Sequence, residues 1–188
     1  MLKEIDWEEQ WAIHAPDFHD GCAHIVLPTN QKIQLLPGPG FGDFSHPTTR
    51  LMIELMSSYV PGKNILDIGC GSGILSIASA KMGGTRIYCS DIDPAAIEHT
   101  KKNAAFNHMS ISTNLEGLKK PVVLMNMIFS EQIIAWQTHR LHFDKLMTSG
   151  ILSSQREAYL AFATSQNWEL MEEKESNEWL GFIFKEIL

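Results

Sequence analysis

Along most of the chain, short apolar runs are followed by stretches whose apolar residues have helical spacing. The runs NILDI and RIYCSDID precede the helical patterns ILSIASAKM and PAAIEHTKKNAAFN. After a short ISTNL segment come strand PVVLMNMI, helix EQIIAWQTHRLHFDKLM, strand GILSS, helix REAYLAFATSQN and strand WLGFIFKEI. Strands that alternate with helices predict an α/β fold, a doubly wound and mostly parallel sheet with helices on both faces. The last segments predict an antiparallel edge at the C-terminus.

The chain before this alternation is less regular. Residues 1–36 predict an irregular or short-stranded lead packed on the core, in which AHIVLP and KIQLLP are strand candidates ended by prolines. Residues 37–49, PGPGFGDFSHPTT, are rich in glycine and proline and predict a loop. A helix is expected to begin at Pro47 and Thr48. We therefore divide the chain into this lead and a main domain of residues 37–188.

Length, composition and charge limit the function. A chain of 188 residues can form one domain, and a formal charge of −7 argues against non-specific binding to nucleic acid, so no nucleic-acid partner is expected. No apolar run is long enough for a membrane span, and the acidic start is unlike a signal peptide. The three cysteines lack metal-ligand spacing, so we expect reduced thiols, a cytoplasmic protein and no metal. Four histidines without ligand spacing, apart from one weak pair, support the absence of a metal: His99, His108, His139 and His142.

Three closely spaced glycines follow the NILDI strand, at Gly69, Gly71 and Gly73. A glycine-rich turn between a strand and a helix directs backbone N–H groups toward whatever lies above the strand end. A simple strand-to-helix turn would also explain three glycines, so further residues are needed to choose.

Two carboxylates support a ligand site. Asp67 lies two residues before the first glycine, and Asp91 ends the next strand, where a carboxylate often holds ribose hydroxyls. The third glycine comes two residues after the second, not three as in dinucleotide-binding loops, so pyrophosphate is the weaker interpretation. The negative charges favour a cationic nucleoside without phosphates. Asp93, just before Pro94, is interpreted as a residue that starts a helix.

The stretch LDIGCGSG followed by CSDIDP resembles the cofactor site of class I S-adenosylmethionine methyltransferases, which implies a Rossmann-like fold. By that resemblance the glycine loop lies beside the methionine and ribose parts of the cofactor, Asp91 holds the ribose and Ile92 flanks the adenine. The full set of cofactor-binding residues that we predict is Asp67, Gly69, Cys70, Gly71, Gly73, Asp91, Ile92, Asn126, His46 and Thr48.

Two further stretches narrow the family. FGDFSHPTT resembles the FGTGTHPTT loop of the ribosomal protein L11 methyltransferases, the PrmA family, and residues 149–185 resemble that family's C-terminal end. DWEEQW resembles the family's tryptophan-bearing linker, so the similarity covers roughly residues 7–188. It implies transfer of a methyl group to a nitrogen of a protein or a small-molecule amine. No oligomeric state is implied.

This sequence departs from the family pattern on the acceptor side. Asp43, Phe44 and Ser45 replace Thr-Gly-Thr, and LMNMIFSEQ replaces VANILAGP while keeping Asn126. The family begins with a substrate-recruiting domain, whereas this chain begins at the linker-like segment. From both differences we expect weak methylation of ribosomal protein L11 and action on another amine.

Asn126 is the candidate catalytic residue, because its side-chain carbonyl at a strand end can orient an acceptor N–H. A turn-capping role explains the same residue equally well. His46 and Thr48 lie in the loop that should cover the cofactor, where His46 is either a base or a packed loop residue.

Two other functions are compatible with parts of the pattern. A cofactor-binding but weakly active module that acts through a partner would keep the glycine loop and lose the acceptor loop. A nicotinamide oxidoreductase is disfavoured by the glycine spacing and by the lack of a hydride-transfer set of Tyr/Lys or Cys/His.

Overall fold

The computed structural model describes residues 5–187, which form six α-helices and nine β-strands. The helices are α1 (Trp7–His14), α2 (Pro47–Met56), α3 (Ile74–Lys81), α4 (Pro94–Phe106), α5 (Phe129–His139) and α6 (Arg156–Ser165). The strands are β1 (Phe18–His19), β2 (Cys22–Val26), β3 (Lys32–Leu35), β4 (Asn64–Ile68), β5 (Arg86–Ser90), β6 (Val122–Asn126), β7 (Lys145–Leu152), β8 (Trp168–Ser176) and β9 (Trp179–Glu186). Across this described range, every helix is too short or too polar to cross a membrane.

A six-stranded sheet in the order β5-β4-β6-β7-β9-β8 forms the centre of the molecule. Strands β5, β4, β6 and β7 are parallel, while β9 runs antiparallel to both β7 and β8. The predicted α/β fold, with a mostly parallel sheet and an antiparallel C-terminal edge, is confirmed. Strand β4 lies between β5, the next strand in sequence, and β6, the strand after that. The direction in which successive strands are added to the sheet therefore reverses at β4.

Alternate residues of the strands enter two separate cores, one on each face of the sheet. In β6, Val122 and Leu124 pack with residues of α2 and α3, whereas Val123 and Met125 pack with residues of α5 and α6. Because both faces are covered, the parallel strands are almost wholly apolar. Helices on both faces of the sheet are therefore confirmed.

The lead forms a small antiparallel sheet, β1-β2-β3, preceded by α1. Both strand candidates are confirmed, but the helix was not predicted because Trp11 alone contributes a buried side chain to it. The backbone N–H of Leu36 donates to Asn103 of α4 at 2.7 Å, and that of Gln34 donates to Asn107, the residue that follows α4, at 3.0 Å. Apolar residues of β2 and β3 enter the same core as α2 and α3. The division of the chain at residue 36 stays a prediction.

The predicted helix over residues 131–147 is wrong in its second half. Helix α5 ends at His139, and Lys145 already begins strand β7. Leu146 and Met147 are fully buried between β6 and β9. A short apolar run fits a helix or a buried strand equally well, and only its neighbours in the sheet select the strand.

The ISTNL segment contributes a single bridge to the sheet. Ser112 pairs in parallel with Tyr88 through hydrogen bonds to Ile87 and Cys89, of 2.9 Å each. One residue pair therefore extends the sheet beyond β5, without forming a further strand.

Candidate active site

A cavity of about 750 Å³ opens at the carboxyl ends of β4, β5 and β6. This is the edge where the strand order reverses, which is where ligands bind in open α/β sheets. Seven of the predicted site residues line it, and three do not. The lining residues are Gly69, Gly71, Asp91, Ile92, Asn126, His46 and Thr48; the remaining three are Asp67, Cys70 and Gly73.

The glycine loop does not direct free N–H groups at the cavity, contrary to the sequence-based expectation. The N–H groups of Gly69 and Cys70 donate to the Ser90 carbonyl, and that of Gly71 donates to the Asp91 carboxylate. Those of residues 72 and 73 donate to the carbonyls of residues 41 and 70. All five amides of the loop are therefore bound within the protein, which removes the donors that a pyrophosphate would need.

The glycines allow close contact with the protein's own chain as well as with a ligand. Gly71 has a φ of +55°, and a Cβ there would lie 2.5 Å from the carbonyl oxygen of Phe41. Gly73 caps the start of α3, where a Cβ would meet Thr100 at 3.0 Å. The loop of residues 37–42 thus packs directly on the glycine loop and needs backbone without side chains there.

Asp91 is half-buried at the end of β5 and lines the cavity. Its Oδ2 accepts from the N–H of Gly71 and its Oδ1 from the N–H of Asp93, at 3.0 Å each. Each carboxylate oxygen keeps lone pairs for further donors, so two neighbouring hydroxyls can bind there. Asp93 accepts from the N–H of Ala95 at 2.8 Å and caps α4, which confirms its role as a helix-starting residue.

Asp67 and Cys70 lie beneath the loop, outside the cavity. Asp67 Oδ2 accepts from the N–H and the hydroxyl of Ser76, at 3.1 and 2.7 Å, and so ties β4 to α3. Burial, with a smaller contribution from Asp91, raises the pKa of Asp67 to about 6. Cys70 accepts from the Thr100 hydroxyl at 3.2 Å. A hydrogen bond with Cys89 and burial both raise the pKa of Cys70, which keeps it a thiol.

His46 caps the first turn of α2, and its ring lines the cavity. Its Nδ1 accepts from the N–H of Thr48 at 3.4 Å and lies 2.8 Å from that residue's hydroxyl oxygen. Burial lowers the pKa of His46 below its usual value, despite the opposing effect of Asp43. The neutral ring contacts Phe41 and Trp179 edge-on, with centroids 5.6 and 5.0 Å away.

Asn126, at the end of β6, has one amide end bound and one end free. Its Nδ2 donates to the Thr49 hydroxyl at 3.4 Å. Its Oδ1 is buried and has no hydrogen-bond partner among residues 5–187. Whichever way the amide is oriented, one of its two polar atoms is left unpaired. A buried polar atom without a partner costs about 1–3 kcal/mol, so a hydrogen-bond donor at this oxygen would be stabilising.

Some cavity residues were not predicted from the sequence. Trp179 starts β9, far along the chain, and the Ser90–His139 pair joins the ends of β5 and α5. His139 Nδ1 donates to the Ala135 carbonyl at 3.0 Å, so its Nε2 accepts from the Ser90 hydroxyl at 3.0 Å. In the sequence, the one feature that could have pointed to Trp179 is its position directly after the turn residues Asn177 and Glu178. Nothing in the sequence pairs Ser90 with His139.

Comparison with known proteins agrees with this geometry. A family profile described as ribosomal protein L11 methyltransferase (PrmA) matches residues 1–186. The ribosomal protein L11 methyltransferase of Oceanobacillus iheyensis is 34% identical over 98% of this chain, which spans 65% of that relative's length. Two solved structures show the same fold, and the first is a ribosomal protein L11 methylase from Lactobacillus delbrueckii subsp. bulgaricus. Its TM-score is 0.70 at 22% identity, over 81% of this chain and 83% of that one.

The second structure is the T. thermophilus 16S rRNA methyltransferase RsmC with AdoMet and guanosine. Its TM-score is 0.65 at 14% identity, over 88% of this chain and 50% of that one. Because these identities are below 25%, the two structures establish only the fold. The family profile establishes the family, since it matches nearly the whole sequence. The resemblance predicted from the glycine loop and the FGDFSHPTT loop is therefore confirmed: this chain belongs to the ribosomal protein L11 methyltransferase (PrmA) family.

Proposed function

We propose that this chain binds S-adenosylmethionine in the cavity and transfers its methyl group to an amine nitrogen of a protein. The observation that carries the proposal is the placement of two side chains in one cavity: the Asp91 carboxylate and the amide of Asn126, whose Oδ1 has no hydrogen-bond partner among residues 5–187. The first suits a ribose and the second suits an acceptor N–H. Family membership supports the same reaction.

The cavity residues fit this cofactor. A volume of about 750 Å³ lies within the ordinary range for a small-molecule site, about 300–1,000 Å³. Asp91 offers lone pairs to the two ribose hydroxyls, and Gly69 lines the cavity at a position where a Cβ would clash with the Cε of Met127. Because the amides of the glycine loop are all bound within the protein, a nucleoside without phosphates suits the site better than a nicotinamide dinucleotide.

Bound S-adenosylmethionine would supply a methyl group on a sulfonium, a leaving group that needs no further activation. The protein's part is then alignment and control of the acceptor's proton. Asn126 accepts one acceptor N–H and thereby aims the nitrogen lone pair. His46 does not fit the role of base, because its Nδ1 is engaged by Thr48 and its Nε2 carries the ring proton. The neutral ring of His46 instead forms part of the cavity wall, together with Phe41 and Trp179.

Ribosomal protein L11 is the first acceptor to test, because the matched relatives are named for it. This differs from our sequence-based expectation of another amine, since the family match extends through the divergent acceptor loops. The rival function, a weakly active module that works through a partner, is not favoured by family membership.

Two measurements on the purified chain test the proposal. Calorimetry with S-adenosylhomocysteine should show one site, and tritiated S-adenosylmethionine should label ribosomal protein L11 on amine nitrogens. Failure to bind S-adenosylhomocysteine would overturn the cofactor assignment. Binding without transfer to this protein or to any protein of a bacterial extract would support the weakly active module instead.

A further inference from the structure

Metal-ligating side chains gather at the β1–β2 turn, outside the cavity described above. One ligand atom each from His19, Asp20 and His24 lies within 4.8 Å of the other two. Cys22, between them in sequence, places its Sγ 3.3 Å from His24 Nε2. We propose that this turn, through His19, Asp20, Cys22 and His24, binds a divalent transition-metal ion of the zinc class.

The distance between the Cys22 and His24 ligand atoms suits a tetrahedral ion. Zinc bonds of about 2.3 Å to sulfur and about 2.0 Å to nitrogen put two such ligands about 3.5 Å apart. The Cys22–His24 separation of 3.3 Å is close to that value. The Cys22 thiol must lose its proton to bind a metal ion, so metal binding would release a proton.

The partners of both histidines suit metal ligation. His19 Nδ1 lies 3.2 Å from the Asp17 carboxylate, which can only accept, so Nδ1 carries the proton and Nε2 keeps a free lone pair. His24 Nδ1 lies 3.3 Å from Gln34 Nε2. A rotation of the Gln34 amide by half a turn would present its oxygen to a His24 Nδ1–H and free Nε2 for the metal. Such outer contacts orient ligating histidines.

The β1–β2 turn has a defined backbone conformation, and its His19 side chain is accessible from solvent. The rings of His19 and His24 stack with centroids 3.7 Å apart and planes at 7°, so one ring has to turn before both can bind one ion through their in-plane lone pairs. His19 is half-exposed, so its ring is free to tilt toward an ion, whereas Cys22 is buried and fixed within β2. A left-handed backbone at Asp20 (φ +51°) and Gly21 (φ +73°) folds the turn so tightly that residues 19 and 22 pair directly.

One thiolate and two imidazoles favour zinc, cobalt or copper over magnesium and calcium, which prefer oxygen ligands. These residues follow the spacing His-x₂-Cys-x-His, and a metal here would overturn the sequence-based expectation of no metal. An ion would fasten the turn of the small sheet, whose last strand, β3, leads into residues 37–42 above the glycine loop.

Cobalt spectroscopy of the metal-stripped chain tests the site, with Co²⁺ and Zn²⁺ as probes and without S-adenosylmethionine, so the result is independent of the proposed function. We expect one Co²⁺ per chain with a thiolate charge-transfer band and intense tetrahedral d–d bands, both lost when Zn²⁺ is added. Cys22→Ser should abolish the charge-transfer band, and His24→Gln should weaken binding at least tenfold. His14→Gln, an exposed histidine of α1, is the matched control and should bind as the parent does.

Far-UV circular dichroism of each variant separates lost ligands from lost folding. Should the buried substitutions unfold the chain, His19→Gln tests the same site from its exposed side. A parent without tetrahedral bands would overturn the proposal. So would a charge-transfer band retained in folded Cys22→Ser, because the thiolate would then come from Cys70 or Cys89.

Discussion

The carboxylate of Asp91 accepts a hydrogen bond of 3.0 Å from the backbone N–H of Gly71, twenty residues earlier in the chain. This bond joins the end of β5 to the turn after β4 and fixes the carboxylate at the rim of the cavity. It also engages one of the loop's donors, so the loop presents a negative group where many nucleotide-binding loops present N–H groups.

Asp91→Asn tests the carboxylate's role in cofactor binding. The amide keeps one acceptor oxygen but loses the charge that strengthens hydrogen bonds from ribose hydroxyls, worth about 1.5–3 kcal/mol each. Calorimetry should show S-adenosylhomocysteine affinity reduced at least tenfold. Asp6→Asn, which keeps a capping residue at the start of α1, is the control and should bind like the parent. Equal affinity in the Asp91 variant would remove that residue from the cofactor site.

Asn126→Ala tests the acceptor side of the cavity. Removing its amide should lower methyl transfer about tenfold or more, because the acceptor N–H loses its partner. Affinity for S-adenosylhomocysteine should change far less. The control is Asn114→Ala, in an exposed turn outside the cavity. If Asn126 served only to cap the end of β6, its variant would lose thermal stability while the remaining folded enzyme kept its turnover.

Gly71→Ala and Gly62→Ala form a matched pair, because both glycines have positive φ, +55° and +76°. At Gly62 no atom lies within 4 Å of a new Cβ, so Ala should cost only about 1–2 kcal/mol of backbone strain. At Gly71 the same strain adds to a clash with the Phe41 carbonyl at 2.5 Å. Chemical denaturation should show the larger loss for Gly71→Ala.

The same Gly71 substitution should also impair cofactor binding, since it displaces residues 39–41 that line the cavity. Gly62→Ala should leave binding unchanged. Equal stability and equal S-adenosylhomocysteine affinity in the two variants would contradict the packing of the two loops.

Asp67 should make stability depend on pH in a defined window. Burial raises its pKa from 3.8 to about 6, so the folded state holds a proton that the unfolded state has already lost. The contribution of Asp67 to the free energy of unfolding is therefore fully present below about pH 4, and it is lost as the pH rises to about 6. The loss amounts to about 3 kcal/mol, at about 1.4 kcal/mol per pH unit.

Denaturation of the parent and of Asp67→Asn across this range measures the effect. The neutral amide keeps an acceptor for Ser76 and should lack the decline. A parallel decline in both proteins would assign the pH dependence to other groups.

Sequence alone determined the alternation of strands and helices and the positions of the glycine turn, Asp91 and the helix-starting Asp93. These features follow from local chemistry: apolar periodicity, glycine at positive φ and a short side chain that caps a helix. The family resemblance rested on the same local segments, and it was confirmed over residues 1–186.

Only the tertiary structure decided which of the predicted residues reach the cavity. Asp67, Cys70 and Gly73 belong to the same motif as Gly69 and Gly71, yet they face the core and α4 because successive residues of a strand and its turn point in different directions. Similarly, Leu146 and Met147 became strand because β6 and β9 flank them. The contacts of His46 with Trp179 and of Ser90 with His139 join residues 133 and 49 positions apart. Such pairs are set by packing between distant elements, which no local pattern encodes.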